Sequence, residues 1–211
     1  MNATITPLME RIRGHIEAHQ RHQPSPYSDS AVASGRVPPP HPPTLVLADV
    51  DAIFAPLPAV PYLVQSLDIC PGAPTLIAGY GFSGKTIAAQ SMALTVACGG
   101  PVWGSIALAR QGRVVHVDYE QGMRLTAERY QRLAAARGLT AADLRGRLAV
   151  AALPTLHLSS MAALDAYCRA ADGAALLIVD SLRASAPDVD ENSSDVRRLL
   201  DLLTRVSEKT G

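Results

Sequence analysis

The sequence predicts an α/β domain: a mainly parallel sheet with helices on both faces. Three observations carry that expectation. Short apolar runs at Thr75–Ala78, Arg113–Glu120, Leu148–Leu153 and Ala174–Asp180 alternate with segments of helical character. Two of those runs close on acids, Glu120 and Asp180. Between the first run and the first helical segment lies a glycine-rich stretch, Gly79-Tyr80-Gly81-Phe82-Ser83-Gly84-Lys85-Thr86. Strands that alternate with helices form parallel sheets whose two faces are both covered.

Residues 1–43 differ from the rest. Met9–Gln23 reads as a short polar helix whose three His have no metal-ligand geometry. Pro24–Pro43 holds seven prolines, a composition that gives a polyproline-like or disordered linker. The folded domain is expected over residues 44–211. It opens with an irregular apolar stretch, Leu45–Phe54, then Tyr62-Leu63-Val64 as a lead-in strand. Asp68–Gly72 reads as a turn that feeds the strand Thr75–Ala78.

Ile87–Cys98 is rich in Ala, Met and Leu and stops at Gly99-Gly100, so it reads as a helix with a glycine stop. Arg113–Glu120 is the second strand. Met123–Arg137 follows as an amphipathic helix with Leu125, Tyr130 and Leu133 on its apolar side. Leu148–Leu153 is a third strand and Met161–Ala171 another helix. Ala174–Asp180 is the most apolar strand of the chain. A polar loop from Ala184 to Asn192 then leads to a helix, capped by Ser193 or Ser194, that runs to about Thr210.

The glycine-rich stretch matches the phosphate-binding pattern G-x-x-x-x-G-K-[ST] at every fixed position. Glycines let the backbone curl so that successive N–H groups point into one concavity. That concavity and the start of the next helix together hold phosphates. Lys85 is then expected to reach the β- and γ-phosphates, and the Thr86 hydroxyl to take one position on Mg²⁺. The expected nucleotide-binding set is Gly79, Gly81, Phe82, Ser83, Gly84, Lys85, Thr86 and Ile87. Lys85 is one of only two lysines, against seventeen arginines. A chain that otherwise uses Arg has placed a lysine where this motif needs one.

A nucleotide hydrolase needs two further acids, one to orient Mg²⁺ and one to position the attacking water. Both belong at the carboxyl ends of parallel strands. Asp180 suits the metal role. Its successor is Ser181, so the water-positioning acid is not beside it. Glu120 fills that role. Asp118 points to the same side of the strand by alternation, so either acid could reach the site. Arg183 fits a salt bridge with Asp188 or Asp190 better than a phosphate or a neighbouring subunit. His116, mid-strand, reads as a satisfied core histidine.

Composition limits the alternatives. Net charge is zero, so no global basic field advertises nucleic acid. Cys70, Cys98 and Cys168 are odd in number and widely spaced, which suggests buried thiols in a reducing compartment. No apolar run is long enough to span a membrane, and a cytoplasmic protein is expected.

Taken together, Gly79–Thr86, Val117–Glu120, Leu177-Ile178-Val179-Asp180-Ser181-Leu182-Arg183, and Glu191-Asn192 before a helix ending Glu208–Gly211 resemble the RepA-like branch of RecA-fold P-loop ATPases. This AAA-domain family is related to plasmid and phage replicative helicases. The resemblance covers about Leu45–Gly211. It implies an ATPase with Lys85 and Thr86 on ATP, Asp180 on Mg²⁺ and Glu120 as catalytic glutamate. It also implies a homo-oligomeric ring, often hexameric, with single-stranded DNA in its channel. The loop after Asp180 would face that channel, yet here it is acidic. In the family another core strand follows the helix ending in Thr-Gly. The chain is therefore expected to be a fragment lacking its last core strands, and poorly stable as given. A nucleotide-dependent switch with slow turnover and a small-molecule kinase are the competing readings. No Arg-rich lid supports the kinase.

Overall fold

A computed structural model describes residues 47–210 except residues 57 and 191–193. The polar helix, the proline-rich linker and the Glu191-Asn192 pair lie outside the described residues. The described chain divides between two units that meet in sequence at Ala59 and Val60. Among its described residues the first has one short helix, α1 (Val50–Phe54), where the irregular apolar stretch was expected.

The second unit is the α/β domain. It comprises α2 (Lys85–Cys98), β1 (Arg113–Asp118), α3 (Met123–Ala136), α4 (Ala141–Leu144), β2 (Leu148–Ala152), α5 (Ala163–Ala171), β3 (Ala174–Asp180), α6 (Leu182–Ser185) and α7 (Val196–Thr210). The three strands form one parallel sheet in the order β2-β1-β3. Register places Asp118 beside Ala152 on one side and beside Asp180 on the other. The carboxyl ends of all three strands therefore lie at one edge.

β1 shows why both faces are covered. Val114 joins an apolar cluster with residues of α2 and α3, including Ala93, Val96, Tyr130 and Ala134. Val115, Val117 and Tyr119 join a second cluster with Tyr167 and Ala171 of α5 and Leu199 and Val206 of α7. Alternate side chains of a strand point to opposite faces, so one buried strand feeds two cores. The expected amphipathic face of α3 is partly shifted. Tyr130 is buried, but Leu125 is 44 % exposed, and Thr126 and Ala134 complete the inner stripe.

Two expected strands are corrected. Tyr62–Val64 forms no strand. Leu63 and Val64 are buried, but Val64 makes only an isolated antiparallel bridge to Ile69 across a 3-10 turn at Gln65–Leu67. Thr75–Ala78 also lacks ladder pairing, and Leu76 is 65 % exposed. An apolar run becomes a strand only when another backbone lies within hydrogen-bonding reach. A groove of about 550 Å³ is lined by Thr75–Ala78 and by β3. Among the described residues β3 is an edge strand, and of its seven residues only Ile178 is buried despite the apolar composition. Cys70, Cys98 and Cys168 are free thiols, half-buried where burial was expected.

Candidate phosphate loop and its acids

The loop between Ala78 and α2 has the backbone that its glycines allow. Gly84 sits at φ +86° and caps α2 in the left-handed region, where a side chain would be strained. Phe82 also has positive φ, and its ring is fully exposed, as is Tyr80. The Ser83 N–H donates to the Tyr80 carbonyl at 3.3 Å, closing the turn. A Cβ at Gly79 would come within 2.9 Å of Ser83 Oγ, while one at Gly81 would meet nothing. The first amides of α2 have no helical carbonyl ahead of them, so they face the loop as donors with the positive end of the helix dipole.

Lys85 opens α2. Its Nζ donates to the carbonyls of Gly79 and Tyr80, at 2.9 Å each. The ammonium is thus held over the mouth of the loop by the loop's own backbone. Thr86, next in the first turn, is half-buried, and Ile87 is 41 % exposed. A phosphate chain fits this cradle: it needs backbone donors, a cation and room for its oxygens, and the loop offers all three.

Asp180 ends β3 and lines the same groove as Lys85. The Thr86 hydroxyl and the Asp180 carboxylate are hard oxygen donors. They suit Mg²⁺, which keeps most of its waters and takes few protein ligands beside phosphate oxygens.

The acid expected to position water lies beyond the strand. β1 stops at Asp118, two residues earlier than its sequence suggested. Asp118 is fully buried, and both its oxygens are engaged. Oδ1 accepts the N–H groups of Glu120 at 3.0 Å and Gln121 at 2.9 Å. Oδ2 accepts the Thr126 hydroxyl at 2.7 Å. The side chain takes amides that a continuing strand would have offered to its neighbours, so the chain turns. Of the two acids left open by alternation, Asp118 has no exposed oxygen, whereas Glu120 is exposed.

Glu120 lines a cleft with Arg183, Asp188 and Asp190. Its Oε1 accepts the Ser181 hydroxyl, which links that cleft to the groove of Lys85 and Asp180, because Ser181 lines the groove. Ser181 also caps α6 by accepting the Ala184 N–H at 3.3 Å. Asp188 accepts the Ser159 hydroxyl at 2.6 Å, and that bond holds its carboxyl below the usual range.

His116 is a core residue, as its position suggested, but it is only half satisfied, because its buried Nε2 has no hydrogen-bond partner among the described residues. It is fully buried, and its Nδ1 shares a 2.9 Å hydrogen bond with the Tyr130 hydroxyl. Burial pushes its pKa below 6.5, with Asp118 and Asp180 opposing. The sequence reading missed Ser181 and Thr126 as partners of the acids. The available signals were an Asp at a strand end before a Gly-containing turn, and a Ser three residues ahead of a helical amide.

A family model described as an AAA domain matches residues 39–211. Among curated proteins, none matches the chain. No helix among the described residues is long and apolar enough to cross a membrane.

Proposed function

This chain belongs to the AAA domain family, and from that premise we propose an ATPase of helicase type, acting in DNA replication or the maintenance of mobile elements. Family membership implies nucleotide binding and hydrolysis. The reading of ATP as the nucleotide rests on the generic phosphate-loop pattern Gly79–Thr86, and that of a DNA-linked motor on the RepA-like segments Leu177–Arg183 and Glu191-Asn192.

The observation that carries the hydrolase reading is the Ser181–Glu120 hydrogen bond. It sets an exposed carboxylate beside the strand-end acid Asp180, whose groove also contains Lys85. Bound Mg²⁺–ATP supplies the electrophilic phosphoryl group and neutralises its charge. The residues of this chain do the rest. The first-turn amides of α2 bind the phosphates. Lys85 moves from the Gly79 and Tyr80 carbonyls to phosphate oxygens. Thr86 and Asp180 would hold the metal through its waters. Glu120 orients the attacking water and accepts its proton. Its exposed carboxylate has open lone pairs for that water.

A second reading is a nucleotide-dependent switch with slow or no turnover. Asp188 and Asp190 beside Glu120 favour it, since acids at that cleft repel a phosphodiester backbone. In the motor reading the chain works as a homo-oligomeric ring, often hexameric in the family it resembles, with single-stranded DNA in its channel. Steady-state ATP turnover with and without single-stranded DNA separates the two. Stimulation of several-fold or more supports the motor. Turnover indifferent to DNA sinks the motor and leaves the switch.

A further inference from the structure

We propose that Asp118 is a positioning residue that aims Glu120. The proposal rests on the reading of Glu120 as the acid that orients water.

Three elements converge on the two residues before Glu120. The Asp118 carbonyl accepts the Leu153 N–H at 2.7 Å, from the end of β2. The Tyr119 N–H donates to the Asp180 carbonyl at 2.6 Å, at the end of β3. The Asp118 carboxylate accepts the Glu120 and Gln121 amides, and through Thr126 it is fastened to α3. Thr126 is itself fully buried in the first turn of α3. The Glu120 backbone is therefore fixed from β2, β3 and α3 before its side chain begins. What remains free is the side chain, and Ser181 takes one of its oxygens.

The chemistry fits that role and no other. A carboxylate with three donors on it and no exposed surface cannot take a proton from water. A neutral acceptor would serve the backbone equally well. In Asp118→Asn the amide oxygen accepts the same two N–H groups. Thr126 then turns its hydroxyl proton to the Gly122 carbonyl, at 3.3 Å, and accepts from the new amide nitrogen. Asp118→Ala keeps none of this.

The experiment uses the full chain with Asp118→Asn, Asp118→Ala, Glu120→Gln and the double variant Asp118→Ala/Glu120→Gln. It reads kcat and KM for ATP, the Kd for ATP, and amide hydrogen exchange at Glu120 and Gln121. We expect Asp118→Ala to lower kcat by roughly 10- to 100-fold, the scale of a misplaced acid–base group, with KM and Kd within about 2-fold. Exchange at the two amides should rise in Asp118→Ala and stay near wild type in Asp118→Asn, which retains most of kcat. In the Glu120→Gln background Asp118→Ala should have no further effect, because it acts through Glu120.

An equal fall in kcat in both backgrounds overturns the proposal. So does a loss of ATP affinity matching the loss of kcat, or protected amides in Asp118→Ala. If Asp118→Ala does not fold, Thr126→Val removes only the Oδ2 partner and must show the same pattern at smaller size. Wild-type turnover in Glu120→Gln marks failure of the underlying reading instead, and takes the proposal with it.

Discussion

The Ser181 hydroxyl donates to a carboxylate oxygen of Glu120, joining the turn after β1 to the residue that follows Asp180. The acid expected to position water is thus tied to the residue that directly follows the acid expected to hold Mg²⁺. Ser181→Ala should lower ATP turnover by about 3- to 10-fold with nearly unchanged nucleotide affinity, since only the orientation of Glu120 is lost. Loss of the α6 cap should cost about 1 kcal/mol. Steady-state kinetics beside urea titration checks both. Unchanged turnover would show that the hydroxyl does not set the glutamate.

Lys85 has no part in either core. Its ammonium sits on two loop carbonyls at an exposed position. Lys85→Ala should therefore melt within a few degrees of wild type and lose ATP binding and turnover by about 100-fold or more, as for loss of a preorganised charge at a phosphate. Lys85→Arg should not rescue, because a planar guanidinium cannot replace a compact ammonium in a tight loop. A nucleotide-affinity measurement on both variants checks this.

His116 makes stability depend on pH. Burial depresses its folded-state pKa below 6.5. As pH falls through 6.5 the unfolded chain takes up the proton first, so unfolding gains protons and stability declines. This contribution is absent above about pH 7.5 and grows until pH falls below the depressed folded-state value. Urea midpoints at pH 7.5 and pH 5.5 should differ, the acid one being lower. His116→Phe should reduce that difference, with a constant offset because the Tyr130 hydroxyl loses its partner.

Gly112 precedes β1 where that strand meets β3. A Cβ there would collide with the Ala175 methyl. Gly112→Ala should destabilise the domain by about 1–3 kcal/mol, the cost of forcing extra volume between packed backbones. Denaturant unfolding of the variant measures it.

Much of the fold could be read from the chain because its signals were local. Ala174–Asp180 is a strand over the expected residues, and α2 ends at Cys98 before Gly99. The α/β class follows from the alternation of apolar runs with helical segments, whereas β1 is buried along nearly its whole length and its alternate residues feed two clusters. The misses share a physical cause. Thr75–Ala78 has the composition of a strand, but strand formation depends on a partner backbone that composition cannot supply. The early end of β1 depends on a side chain competing for amides. α4 depends on a capping box, Thr140 with Asp143, four residues into a stretch with no apolar period. The phosphate loop was legible because its spacing is contiguous. The Asp118–Thr126 and Ser181–Glu120 contacts were not, because the second spans 61 residues and the first rests on where a strand stops.

The central claim is that the loop before α2 binds ATP and that Glu120 is needed only to hydrolyse it. The most direct measurement is single-turnover ATP hydrolysis together with ATP binding, in Mg²⁺, for wild type and Glu120→Gln. Glu120→Gln should bind ATP within about 2-fold of wild type and hydrolyse it at least about 100-fold more slowly, the loss expected when an interaction is made only in the transition state. Equal hydrolysis by the two proteins, or loss of binding in Glu120→Gln, would contradict it.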